Sequence, residues 1–140
     1  VPEPAAAAGD AEAALAADLR SAIDGMAAFD RLDFKKGLED LWFGIGAVNR
    51  YVEARAPWKL HKHGATDELG RCLYTCVDAL RVIAVLISPV MPDAAARLWA
   101  KLGLGEPLSD QRYPASVQPG LLPVGAEVDR GELLFPKLEE

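Results

Sequence analysis

Cysteine and histidine are both scarce in this chain, at two of each in 140 residues. Two thiols make no disulfide framework of the kind that staples small secreted domains. Long apolar runs are missing as well: Val82 to Met91 is about half the roughly 20 residues a bilayer crossing needs, and Pro89 and Pro92 would break its continuation. The start, Val1-Pro2-Glu3-Pro4-Ala5, has neither the basic nor the apolar region of a signal peptide. A reducing, cytoplasmic setting without membrane attachment is therefore expected. Positive charge is in deficit, with 15 Lys and Arg against 21 Asp and Glu, which disfavours a general nucleic-acid coat. No dinucleotide or phosphate-binding glycine loop, nucleophile elbow or H-E-x-x-H pair occurs, and the length is small for an elaborate enzyme.

What is present is apolar enough to fold: hydrophobic residues are 51% and charged ones 26%, which excludes a disordered chain. The charge is also unevenly placed. Residues 1–30 carry a net −5, residues 31–62 a net +3 and residues 63–140 a net −4. One basic island thus lies between acidic flanks, and it allows a local contact with phosphate despite the total of −6.

Four helices are expected. Asp10 reads as an N-cap, with Leu15, Leu19, Ile23 and Met26 at helical spacing over about residues 11–29. A second helix starts near Asp33, carries the stripe Leu38, Leu41, Trp42, Ile45, Val48 and Val52, and must end before Pro57. Gly44 and Gly46 would each cost it about 1 kcal/mol unless they admit a close neighbour. Thr66 reads as the cap of a third, nearly all-round apolar helix, the centre of a bundle, which Pro89 stops. Asp93 caps a short fourth, closed by Gly103 or Gly105. The fold class is an all-α bundle over residues 1–105 with an irregular tail over 106–140, in which 127–128 and 133–135 are weak candidates for extended pieces.

Candidate chemistry is thin. Cys72 and Cys76 with His61 and His63 offer zinc-type ligands, but the spacing is wrong for a knuckle and the thiols fit core positions. The carboxylate pairs Glu39-Asp40 and Asp67-Glu68 fit polar helix faces, and Trp42 and Trp99 fit apolar stripes. The segment from Asn49 to Lys62 differs. Pro57 ends the second helix and presents Trp58 inside the basic island, where Arg50, Arg55, Lys59 and Lys62 lie close in sequence. An indole held this way stacks on an unpaired base for about 1–3 kcal/mol while the cations hold the backbone. The plain alternative is that Trp58 folds back as a plug at the end of the bundle.

The order of several short pieces carries more. Leu38-Glu39-Asp40-Leu41-Trp42, Asn49-Arg50-Tyr51-Val52 and Ala56-Pro57-Trp58-Lys59-Leu60-His61-Lys62 come first. Leu86-Ile87-Ser88-Pro89-Val90-Met91-Pro92-Asp93, Leu98-Trp99-Ala100-Lys101-Leu102-Gly103 and Leu134-Phe135-Pro136-Lys137-Leu138-Glu139 follow. In this series the chain resembles, over nearly its whole length, the C-terminal anticodon-binding domain of bacterial-type methionyl-tRNA synthetase. The resemblance implies a helical bundle that grips the anticodon stem-loop of methionine tRNA, with Trp58 stacking on the first anticodon base. It implies that Pro57 sets the turn, that Lys59 and Lys62 touch phosphates, and that Arg50 and Arg55 are weaker candidates. It also implies a tail that packs back on the parent's catalytic domain. There, ATP with Mg and methionine would be used to charge the tRNA. That domain's HIGH and KMSKS motifs are absent here, and so is an earlier helix whose Asn and Arg read anticodon bases; that helix would precede Val1. The chain is thus expected to be a fragment, inactive alone. The alternatives are the anticodon domain of another class I synthetase, or a non-catalytic helical module that docks on protein through Gly37 and Gly44.

Overall fold

The computed structural model describes residues 9–136, so the N-terminal residues 1–8 and Lys137, Leu138 and Glu139 of the last motif lie outside the described part. The described part is helical, without a strand: α1 (Asp10–Gly25), α2 (Ala27–Asp30), α3 (Phe34–Arg55), α4 (Pro57–Lys62), α5 (Thr66–Ile87) and α6 (Pro92–Lys101). Two single 3₁₀ turns, Leu108–Asp110 and Ala115–Val117, interrupt the tail. The pieces expected to be extended, 127–128 and 133–135, are irregular.

The first expected helix is two. Gly25 packs so closely on Asp40 of α3 that a Cβ there would overlap it, and the helix breaks at Met26 before one more turn. Caps also fall one residue or more from their expected places, as helix ends often do. Gly9 precedes α1, its N–H donating to the Glu12 carboxylate at 2.9 Å; Ala65 precedes α5 and Met91 precedes α6. Asp33 does cap α3, accepting from the Lys36 N–H at 3.1 Å.

Along α3 the inward line is Gly37, Leu41, Gly44, Val48, Tyr51 and Arg55, alternating steps of four and three. The glycines let α1 and α2 approach: a Cβ on Gly44 would sit 2.8 Å from that of Ala22, and one on Gly37 would overlap Phe29. Gly46, by contrast, meets only the end of the flexible Arg50 side chain. The docking face expected at Gly37 and Gly44 is therefore already filled by the chain itself. Trp42, one residue past Leu41, is turned about 100° away from that line, and it is 53% exposed rather than core.

Helix α5 is the centre of the bundle, with every residue from Val82 to Ile87 buried. Its first half turns Gly70 and Cys72 inward and leaves Leu73 exposed, so this end is less apolar all round than expected. Trp99 of α6 is buried, as its stripe requires, and its indole N–H donates to the Glu106 carbonyl at 2.8 Å. Gly103, at φ +63°, closes this helix.

Although irregular, the tail is fastened to α5. Arg81 donates to Asp78 at 2.8 Å and to the carbonyls of Ser116 and Gln118. Asp78 in turn accepts the N–H of Leu122 at 3.1 Å and the N–H of Gly120. Val117 enters the core with no exposed surface. Lys101 holds the carbonyls of Arg130 and Glu132, and beyond them Leu133 and Phe135 are exposed.

Candidate nucleic-acid interface

Helices α3 and α4 meet at a corner made by one residue. A residue before proline avoids the right-handed helical region, and Ala56 takes the left-handed one instead, at φ 43° and ψ 65°. For a non-glycine this costs about 1 kcal/mol, and the corner holds because it is over-determined. The Ala56 N–H donates to the Val52 carbonyl at 2.9 Å, Ala56 is buried, and Leu60 packs on the core beside Tyr51 and Cys72. Pro57 then occupies the first helical turn of α4, where its missing N–H is no loss. Four helices are expected and α4 is not among them; it runs to Lys62 because proline here starts a helix as well as ending one.

With Leu60 turned inward, Trp58 and Lys62 stand on the opposite face, four residues and one turn apart, flanked by Lys59 on one side and His61 on the other. Trp58 is 59% exposed, so it does not plug the bundle. Neither Lys59 nor Lys62 makes an ion pair among the described residues. Two of the six sequence candidates are differently placed. Arg50 pairs with Asp18 of α1 at 3.6 Å and lies over the Phe43 ring at 5.6 Å. Arg55 is mostly covered and lies 3.5 Å from Glu12 of α1 and 3.5 Å from Glu68 of α5.

Under the corner lies a polar group that sequence reasoning missed. The Tyr51 hydroxyl donates to Glu12 at 2.6 Å across 39 residues of sequence. Burial opposes the Glu12 charge, but the Tyr51 bond, the backbone N–H groups and Arg55 outweigh it and hold the carboxyl below its usual range. Burial first, and then the bond to Glu12, drives the Tyr51 phenol far above its ordinary value. The only signal in the sequence is that Glu12 falls in the first turn of the expected first helix, where it reads as a capping side chain. Cys72 is fully buried beside this group, and burial pushes the half-buried Cys76 thiol up to about 12. The thiols therefore face inward, away from the exposed His61 and His63.

Known proteins are similar to this chain over most or all of its length. Residues 1–140 fit the family described as the anticodon binding domain of methionyl tRNA ligase. Among curated relatives, a methionine–tRNA ligase of Streptomyces coelicolor is 41% identical over 94% of this chain and 26% of that protein. One from Caldanaerobacter subterraneus is 36% identical over 79% of this chain and 17% of its own length. The apo crystal structure of Mycobacterium tuberculosis methionyl-tRNA synthetase superposes with a TM-score of 0.85 at 30% identity, covering all of this chain and 28% of that one. The same enzyme bound by methionyl-adenylate gives a TM-score of 0.83. The chain thus spans about a quarter of the length of the first of these relatives.

Proposed function

The chain belongs to the anticodon-binding domains of methionyl tRNA ligase, and from that premise we propose that its α4 face binds the anticodon stem-loop of methionine tRNA. Trp58 stacks on the first anticodon base, Pro57 fixes the corner that presents it, and Lys59 and Lys62 neutralise neighbouring phosphates. The observation that carries this reading is the exposure of Trp58 on a face with an unpaired lysine one turn away, in a chain that is acidic overall. Arg50, exposed but engaged with Asp18, supplies at most a peripheral contact; Arg55 acts from beneath the surface.

The parent enzyme, in this reading, joins methionine to its tRNA with ATP and Mg in the cytoplasm, through a catalytic domain outside this chain. The chain alone recognises tRNA without charging it. The exposed Leu133 and Phe135, just past the last fastening of the tail at Glu132, are the surface we assign to packing on that catalytic domain. No helix among the described residues is long and apolar enough to cross a membrane.

The test is a titration of the chain with a methionine anticodon stem-loop and with a loop altered at the first anticodon base, repeated across salt. Tighter binding of the methionine loop is expected. Replacing both Lys59 and Lys62 by Ala should lower the salt slope by about 0.7 for each phosphate no longer neutralised. Equal binding of the two loops, or an unchanged slope, would refute the corresponding part.

A further inference from the structure

We propose that Glu12, Tyr51 and Arg55 form a clamp that positions Trp58 for base recognition, a role that rests on the anticodon reading above. The case begins with connectivity. Arg55 is the last residue of α3, Ala56 is the only residue between α3 and α4, and Trp58 is the second residue of α4. Any tilt of the α3 terminus is therefore transmitted to the indole through one strained residue, with no loop to absorb it.

The clamp acts on that terminus from two sides. Arg55 reaches Glu12 of α1 at 3.5 Å and Glu68 of α5 at 3.5 Å, so the end of α3 is tied to both neighbours. One turn earlier, Tyr51 is buried and donates to the same Glu12 at 2.6 Å. Glu12, itself 6% exposed, is fixed at the start of α1 by the Gly9 N–H. A single carboxylate thus joins two successive inward positions of α3. A packing contact alone would let the helix end rotate; the short bond and the ion pair, one turn apart, define its angle as well as its depth. Being drawn in, the carboxylate cannot swing out to another partner without taking its acceptor from the buried Tyr51 hydroxyl, which Thr75 contacts as well. None of the three side chains lies on the outer face of α4, so their effect on RNA passes through Trp58.

The test uses the chain labelled with fluorotryptophan, whose three indoles give three fluorine resonances, that of Trp58 being the one missing in Trp58→Ala. Glu12→Gln keeps an acceptor for Tyr51 but removes the charge facing Arg55; Tyr51→Phe removes the hydroxyl and leaves the ion pair. In Glu12→Gln the Trp58 resonance should move while those of Trp42 and Trp99 stay. Stem-loop binding should weaken roughly tenfold, about the contribution of one stacked base, with an unchanged salt slope because Lys59 and Lys62 are intact. Tyr51→Phe should move both readouts the same way by less, and it carries the test alone if Glu12→Gln fails to fold. Folded variants with the Trp58 resonance and affinity of the unaltered chain would overturn the clamp. If Trp58→Ala itself leaves binding unchanged, it is the stacking role that fails, and the fluorine resonance alone then decides the clamp.

Discussion

Asp78–Arg81 and Glu12–Arg55 are both carboxylate–arginine pairs drawn into the protein, yet one closes a surface and the other leaves one open. The first pair sits within one helix, three residues apart, and turns its remaining hydrogen-bonding capacity on the backbone of the tail. Four peptide groups of an irregular segment are satisfied by two side chains. The second pair joins two helices and sets the angle of a corner. Beyond that corner an indole and two lysines remain without partners among the described residues. The difference teaches that buried charge can fasten a chain with no helical periodicity or aim a surface that must stay vacant. Which it does depends on whether its partners are backbone or other helices.

Breaking the first pair should have the larger effect. Asp78→Ala leaves Arg81, 4% exposed, without its counter-charge and orphans the Gly120 and Leu122 N–H groups. A loss of about 3–5 kcal/mol is expected in urea unfolding; a loss under about 1 kcal/mol would show that the tail is held by apolar burial instead. The second pair should show itself in acid. The folded Glu12 carboxyl lies below its ordinary value of 4.5, so its contribution is complete above that pH and is lost as the pH falls through the lower folded value. Below pH 4.5 the chain should lose stability more steeply than Glu12→Gln does, measured by urea unfolding at stepped pH. Parallel acid profiles would mean that the Glu12 charge, held by Tyr51, the backbone and Arg55 together, contributes nothing.

The same contrast explains what can be read from the sequence. The long helices are legible because hydrophobic period, proline and glycine agree on them, and the ordered motifs point to the family. Trp42 is easily misplaced because a stripe six residues deep does not say where its edge lies; Leu41 is inside and its neighbour is not. Helix α4 resembles a loop because Pro57 signals a stop more plainly than a start. The Tyr51–Glu12 bond spans 39 residues, and the Asp78 and Arg81 bonds to the tail span 35 to 44, distances over which no local pattern carries information. Trp58 itself stands out in the sequence, but its exposure depends on the corner at Ala56. Arg55 cannot be told from a surface cation until Glu12 is placed beside it.

The two exposed tryptophans allow the most direct test of the interface. Trp42 and Trp58 are 53% and 59% exposed, but Trp42 lies beside Leu38 and Glu39, whereas Trp58 shares its face with Lys62. Dissociation constants for the methionine anticodon stem-loop should be measured for Trp58→Ala and Trp42→Ala at one salt concentration. A loss of about 1–3 kcal/mol is predicted for Trp58→Ala and none for Trp42→Ala. Unchanged binding in Trp58→Ala, or an equal loss in both, would contradict the stacking role.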